Sequence, residues 1–189
     1  MATCVAPTHG PSNRFPPMRH GRHQGFSAKT VHAINVRDYT EDQVSAWAPE
    51  TEQALQVIAS KLISQRTVGI KECEILIGFG SLTRSFDIDM LYVHKHRQGQ
   101  GVGTRLLKEL ENIAAQNGKH AIEADVSLTA LPFFERRGYT RLAKQTVVRR
   151  GVALENCKMR KKISAKSQEP KASTTHAVSS NATRSRTMQ

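Results

Sequence analysis

The sequence predicts a mixed α/β (α+β) domain: a mostly antiparallel sheet flanked by helices, with one parallel strand pair near its centre. Two observations predict it. The periodicity of apolar residues changes along the chain in the order helix, three strands, helix, strand, helix, two strands. Within that order, residues 86–126 form a strand-helix-strand unit, and a helix between two strands returns the chain to the end it left, which makes the strands parallel.

Thr40-Glu41-Asp42-Gln43 reads as a capping box, in which the threonine oxygen takes an amide of the first turn and the glutamine reaches back. Leu55, Ile58, Ala59, Leu62 and Ile63 continue at helical spacing, so helix is predicted over 40–64 with a break at Ala48-Pro49 and Pro49 in the first turn of the second part. Residues 67–71 and 75–83 read as strands joined by a polar turn at Glu72-Cys73, and 86–94 as a third, making an antiparallel meander the economical pairing. Leu106, Leu107, Leu110, Ile113 and Ala114 then mark one buried helix face, which Gly118 ends. A strand over 120–126 and a helix over 129–137, stopped by Gly138, follow. Residues 139–149 and 152–161 close the chain as a hairpin turning at Arg150-Gly151.

Composition bounds the partners. The net charge of +12 would suggest nucleic acid if it covered the fold. It does not, because residues 31–159 hold 17 basic against 15 acidic groups and the excess sits in the two ends. Residues 1–30 are rich in proline and lack acids, and 163–189 are Ser, Thr, Lys and Ala without a large apolar cluster, so both are expected to be disordered, leaving one domain over 31–162. The arginines of the first segment resemble those of a transit peptide, but its prolines oppose the amphipathic helix such peptides need. No stretch has the apolar length that spans a bilayer, so a cytoplasmic protein with no membrane partner is expected. Cys4, Cys73 and Cys157 contain no close pair, which argues against a disulfide framework and a zinc site. No metal is expected.

The segment HKHRQGQGVGTRLLKEL, from His94 to Leu110, carries the chemistry. A strand that ends in glycines and feeds a helix converges unpaired amides at a positive dipole end, which suits an anion such as a diphosphate. A nucleotide P-loop needs lysine and a hydroxyl residue after its last glycine, and Thr104-Arg105 follows Gly103 here. A dinucleotide fingerprint needs a glycine where Leu106 stands; Glu123 mimics its ribose-binding acid, but the short helix and hairpin downstream cannot supply further parallel units.

Gln98-x-x-Gly101-x-Gly103 resembles the Q/R-x-x-G-x-G/A signature of the GNAT superfamily of N-acetyltransferases. Leu131-Pro132-Phe133-Phe134-Glu135-Arg136-Arg137-Gly138-Tyr139 is similar to its F-Y-E-K-x-G-F segment, and with YTEDQVSAWAPE and RRGVALENCKMRK it matches a subgroup of small bacterial acetyltransferases. The resemblance covers about residues 31–162 and implies a central splayed strand pair with acetyl-CoA as co-substrate. It places main-chain pairing to the coenzyme at Leu91, Tyr92 and Val93, and a diphosphate at Gln98, Gly99, Gln100, Gly101, Val102, Gly103 and Thr104. Lys95, Arg97 and Arg105 flank that turn. Ser127 stands where an asparagine is frequent and keeps a hydrogen bond to give the coenzyme.

The implied reaction is direct attack of a primary amine on the thioester in a ternary complex, the acceptor being a small molecule or a protein amino group. That needs a base for the amine and an acid for the thiolate. The usual acid, a tyrosine, is replaced by Phe134, which leaves water, Tyr92 or Tyr139. Asp87 and Asp89 lie on one strand and Glu123 and Asp125 on its neighbour, and Asp89, nearest the coenzyme segment, is the expected base. His94 and His96 have no third ligand beside them and make no metal site. Residues 1–30 do not resemble the first strand and helix of the superfamily, which implies either that this extension folds in an unexpected way or that the first strand is missing, leaving an open sheet edge that favours pairing of two chains as a homodimer. The alternative function is a catalytically impaired fold that uses its basic ends to hold nucleic acid or an acidic partner, though nucleic acid is not the expected partner of the near-neutral middle.

Overall fold

The computed structural model describes residues 26–73 and 75–164. The expected disordered ends therefore lie outside the described residues apart from 26–30 and 163–164. Element order is α1 (Phe26–Ile34), a 3-10 turn (Asn35–Arg37), α2 (Glu41–Trp47), α3 (Glu52–Ser64), β1 (Arg66–Glu72), β2 (Ile75–Leu82) and β3 (Ile88–Val93). A second 3-10 turn (Lys95–Arg97), α4 (Val102–Gln116), β4 (Ala121–Ser127), a third turn (Leu128–Ala130), α5 (Leu131–Glu135), β5 (Thr140–Arg149) and β6 (Val152–Lys162) complete it. The sheet order is β1-β2-β3-β4-β6-β5, antiparallel throughout except for β3 beside β4.

Two differences from the sequence expectation concern helices. The predicted break at Ala48-Pro49 is present, since Thr40 caps α2 through a reciprocal box with Gln43 and Ala48, before Pro49, leaves helical geometry (ψ 67°). Pro49 then lies in the link rather than in a first turn, and Thr51 caps α3 by accepting from Ala54 N. The second difference is α1. Residues 26–30 are helical and Ser27, Ala28 and Thr30 are buried, so the folded chain begins before the Val31 boundary. Its sequence, FSAKTVHAI, has too few large apolar residues to show a helical stripe, and packing on the sheet supplies what propensity does not.

The main core lies between the sheet and α4, where Leu107, Leu110 and Ala114 of the predicted face pack with Leu82, Ile122 and Met159 while Leu106 is buried over Gly78. Gly118 ends α4 at φ 82°, with Gly118 N donating to Ala115 O and Lys119 N to Ala114 O, the reverse-turn closure that glycine permits. On the other sheet face, α1 and α2 bury Val31, Tyr39 and Val44 against Leu154 and Tyr92. A smaller cluster holds Leu76, Phe79 and Met90 under Phe26. Among the described residues no strand lies outside β1, and α3 beside it buries no residue fully.

Tyr39 joins these parts. Its buried hydroxyl donates to Glu155 O on β6 at 2.5 Å and accepts from Leu128 N at 2.9 Å, fixing the chain just past β4. Tyr39→Phe leaves both main-chain groups unpaired, and a loss of about 1–3 kcal/mol is expected. Urea unfolding of the variant checks it, and an unchanged midpoint would remove Tyr39 from this role.

Candidate functional site

The site begins with a failure of pairing. β3 and β4 are in register only at Ile88 opposite Ala124, and beyond that point the strands diverge. The cause is local. Across β2 and β3 Ser81 faces Met90 while the next residue, Leu82, faces Ile88, so Asp89 is an extra residue in β3. Such a bulge bends its strand and turns the following side chains over. Ile88 accordingly packs in the α4 core and Met90 in the cluster on the opposite face.

Past the bulge the main chain alternates. His94 N donates to Ile77 O across the β2–β3 ladder, and by the two-residue period Tyr92 and Met90 turn their polar groups to β2 while Leu91 and Val93 turn theirs to the gap. The sequence expectation included the Tyr92 main chain, which the alternation points the other way. The Val93 carbonyl is held by Gln98 Nε2 at 2.8 Å, which ties the glycine turn to the open strand.

That turn places Gly99 at φ 72° and Gly101 at φ 80°, where other residues are strained. Gly101 is the N-cap of α4 and has no side-chain acceptor, so the first amides of the helix, from Val102, Gly103 and Thr104, face outward without an internal partner. Gly103 serves a different purpose, because a Cβ there would lie 3.1 Å from the Phe133 ring of α5, a tight contact that the ring would have to yield to. Arg137 holds the same junction, with its guanidinium 3.7 Å above that ring, Nη1 donating to Phe133 O at 2.9 Å and Nε to Thr104 Oγ1 at 3.1 Å. The sequence reading passed over it, though the second arginine of FFERRGY was the visible signal. Of the flanking cations, Arg97 pairs with Glu72, Nε donating to Oε2 at 2.9 Å.

A cleft of about 630 Å³ follows the gap from the glycine turn to the bulge. Leu91, Tyr92, Val93, Gln98, Gly99, Gly101, Gly103 and Thr104 border it from the β3–α4 side, and Asp125 and Ser127 from β4. Gln100 does not border it and donates to His96 O, and Val102 is buried in the core. Ser127 Oγ accepts from Ala130 N at 3.3 Å, so its proton is still free to give.

The acids differ in what they do. Asp89 borders the cleft with its carboxylate engaged by Lys61 Nζ at 3.0 Å and Gln65 Nε2 at 2.9 Å. Asp87 instead joins strand ends, accepting from Glu123 N at 3.2 Å and pairing with Lys119. Asp125 pairs with Lys158 at 3.1 Å. Phe134 is core, its ring edge-on to Tyr139 with centroids 4.9 Å apart. Tyr139 lies behind it, away from the cleft, and burial followed by the Glu111 charge pushes its pKa far up. Tyr92 does border the cleft, and burial, then the Asp89 charge, push it up to about 12 against a smaller opposing effect of Arg149. Residues that sequence reading did not find make the facing wall: Thr30, Val31, Ile34, Asn35 and Arg37, with Trp47 beside them.

Comparison with known proteins agrees with this geometry. A family model for the acetyltransferase (GNAT) domain matches residues 35–163. An uncharacterised N-acetyltransferase of Escherichia coli K12, YafP, is 33% identical over 145 residues, which cover 75% of this chain and 91% of that protein. The crystal structure of a GCN5-related N-acetyltransferase from Rhodopseudomonas palustris superposes with a TM-score of 0.71 at 33% identity, covering 74% of this chain and 87% of that one. The PaiA N-acetyltransferase of Thermoplasma acidophilum, solved with coenzyme A, shares the fold at a TM-score of 0.57 and 17% identity, over 72% and 88% of the two chains. Among the described residues no helix is long and apolar enough to cross a membrane.

The tyrosines supply a pH test. The chain has three, and Tyr39, Tyr92 and Tyr139 are all raised above 10 by burial. The unfolded chain therefore releases protons that the folded one keeps as pH rises past 10, so stability present below that pH falls above it. Tyrosinate absorbance is expected to stay flat through pH 10 and to rise only together with unfolding. A smooth titration in the folded protein near pH 10 would contradict the burial.

Proposed function

Because the chain belongs to the GNAT acetyltransferase family, we propose that it moves an acetyl group from acetyl-CoA to a primary amine by direct attack within a ternary complex. The observation that supports this best is the gap between β3 and β4, open on one side to the uncapped start of α4 and on the other to Asp89.

In this reading the coenzyme diphosphate lies against the amides of Val102, Gly103 and Thr104, where the helix dipole and the lack of a side chain at Gly101 favour close approach of an anion. Gln98, Gly99 and Gln100 shape the turn, and the Leu91 main chain and Val93 amide pair with the pantetheine arm as a strand would. Ser127 donates to the arm from β4. The thioester then lies near the bulge.

The amine must lose a proton, form its N–C bond to the thioester carbon, and release coenzyme A as the C–S bond breaks and the sulfur gains a proton. Asp89 is the carboxylate placed to receive the first proton, and Lys61 and Gln65 hold it in position while withdrawing charge from it. Phe134 and the remoteness of Tyr139 leave Tyr92 or water to supply the second. A phenol raised to about 12 stays protonated at neutral pH, which suits a donor of a hydrogen bond to the departing sulfur.

Two measurements test the reading. Asparagine tolerates the left-handed geometry of Gly101 and aspartate differs from it by one charge, so Gly101→Asp is expected to weaken acetyl-CoA binding at least tenfold more than Gly101→Asn in calorimetry. Equal affinities would remove the diphosphate from this turn. Asp89→Asn is expected to lower kcat on the order of a hundredfold with acetyl-CoA affinity unchanged, and unaltered kcat would assign the proton to water alone.

A further inference from the structure

The wall facing β3 contains polar groups that nothing in the fold uses. Thr30 and Asn35 are 7% and 8% exposed, border the cleft, and have no hydrogen-bond partner for their side chains among the described residues. Side chains this buried are ordinarily paired within the fold, and here their polar atoms open onto the cleft instead, where a polar occupant can take the hydrogen bonds the fold leaves unmade. Arg37 follows on the same surface, borders the same cleft and makes no ion pair among the described residues. All three offer donors.

The carboxylates across the cleft differ from these donors in being already taken. Asp89 is neutralised by Lys61 at 3.0 Å and Asp125 by Lys158 at 3.1 Å. A pocket built to hold a polycation would leave its acids free, whereas this one leaves a guanidinium free. Paired acids also oppose deprotonation of an incoming ammonium less than free ones do.

We propose that Thr30, Asn35 and Arg37 form an anion subsite and that the acceptor is a small primary amine carrying a carboxylate or phosphate. The anionic group anchors the acceptor at the α1 wall while its amine reaches the thioester near Asp89. Binding energy from the remote end thereby positions the reacting nitrogen without stabilising its charge. The inference rests on the acetyl-transfer reading.

The test uses the full chain at saturating acetyl-CoA, with release of free thiol as the readout. The carboxylate arm sets glycine, β-alanine, 4-aminobutyrate and the common α-amino acids against alkylamines of matched length and the amino-acid amides. The phosphate arm sets O-phosphoethanolamine against ethanolamine. In one arm the anionic member is expected to exceed its neutral partner in kcat/KM by tenfold to about a hundredfold, and Asn35→Ala and Arg37→Gln are expected to erase most of that preference through KM. Calorimetry should show acetyl-CoA affinity unchanged in both variants. No preference for an anionic member, or no turnover of any by a protein that binds acetyl-CoA, overturns the subsite and leaves acetyl transfer standing. Variants that weaken acetyl-CoA binding assign the donors to the coenzyme, which also overturns it. A folded protein that does not bind acetyl-CoA refutes the underlying reading instead.

Discussion

Everything about the cleft depends on one extra residue in a strand. With Asp89 inserted opposite the Ser81–Leu82 step, β3 cannot stay flat against β4, and the parallel pair opens after a single register position. A regular strand would spend the Leu91 and Val93 main-chain groups on β4. The bulge frees them, turns Met90 and Tyr92 to the face lined by α1, and leaves the acid itself at the apex of the gap. The polar groups freed in this way are what a strand-like substrate arm can use, so the defect in the sheet and the proposed binding of the coenzyme are one feature.

An open sheet has to be held open. Leu106, Leu107 and Leu110 of α4 cover β2 and β3 from one side, and Gly78 and Gly80 in β2 allow that approach, since a Cβ at either would come within 3.0 Å of the Val102 or Leu110 side chain. At the mouth Gly103 lets the Phe133 ring sit against α4 while Arg137 locks the contact from above. At the far end Tyr39 pins the start of the turn after β4 to β6. The cleft is thus framed by tertiary contacts on both sides, which leaves its interior free of them.

How much of this was legible follows from the range of each interaction. The α4 face, the closing hairpin and the glycine turn are written in residues close together in the chain, and their periods and turn residues specified them. The antiparallel meander was legible for the same reason. The bulge was not, because nothing in FDIDMLYV marks Asp89 as extra until its register against β2 is known. The Lys61–Asp89 pair joins residues 28 apart, and the Asp87 contact to Glu123 spans 36, so no local pattern distinguishes the acid at the cleft from the one that joins strand ends. Arg137 was visible as a residue but not as a contact, since its partner Thr104 lies 33 residues away on α4.

The failure at α1 has a different cause, and the cause is informative. A helix is recognised from sequence by large apolar residues on its buried face, and α1 buries Ser27, Ala28 and Thr30 together with Val31. The chain keeps polar groups there at a cost in helix signal. Where local consistency is given up in this way a functional reason is expected, and Thr30, the one wall residue inside the stretch expected to be disordered, borders the cleft together with Asn35 and Arg37 as the proposed subsite requires.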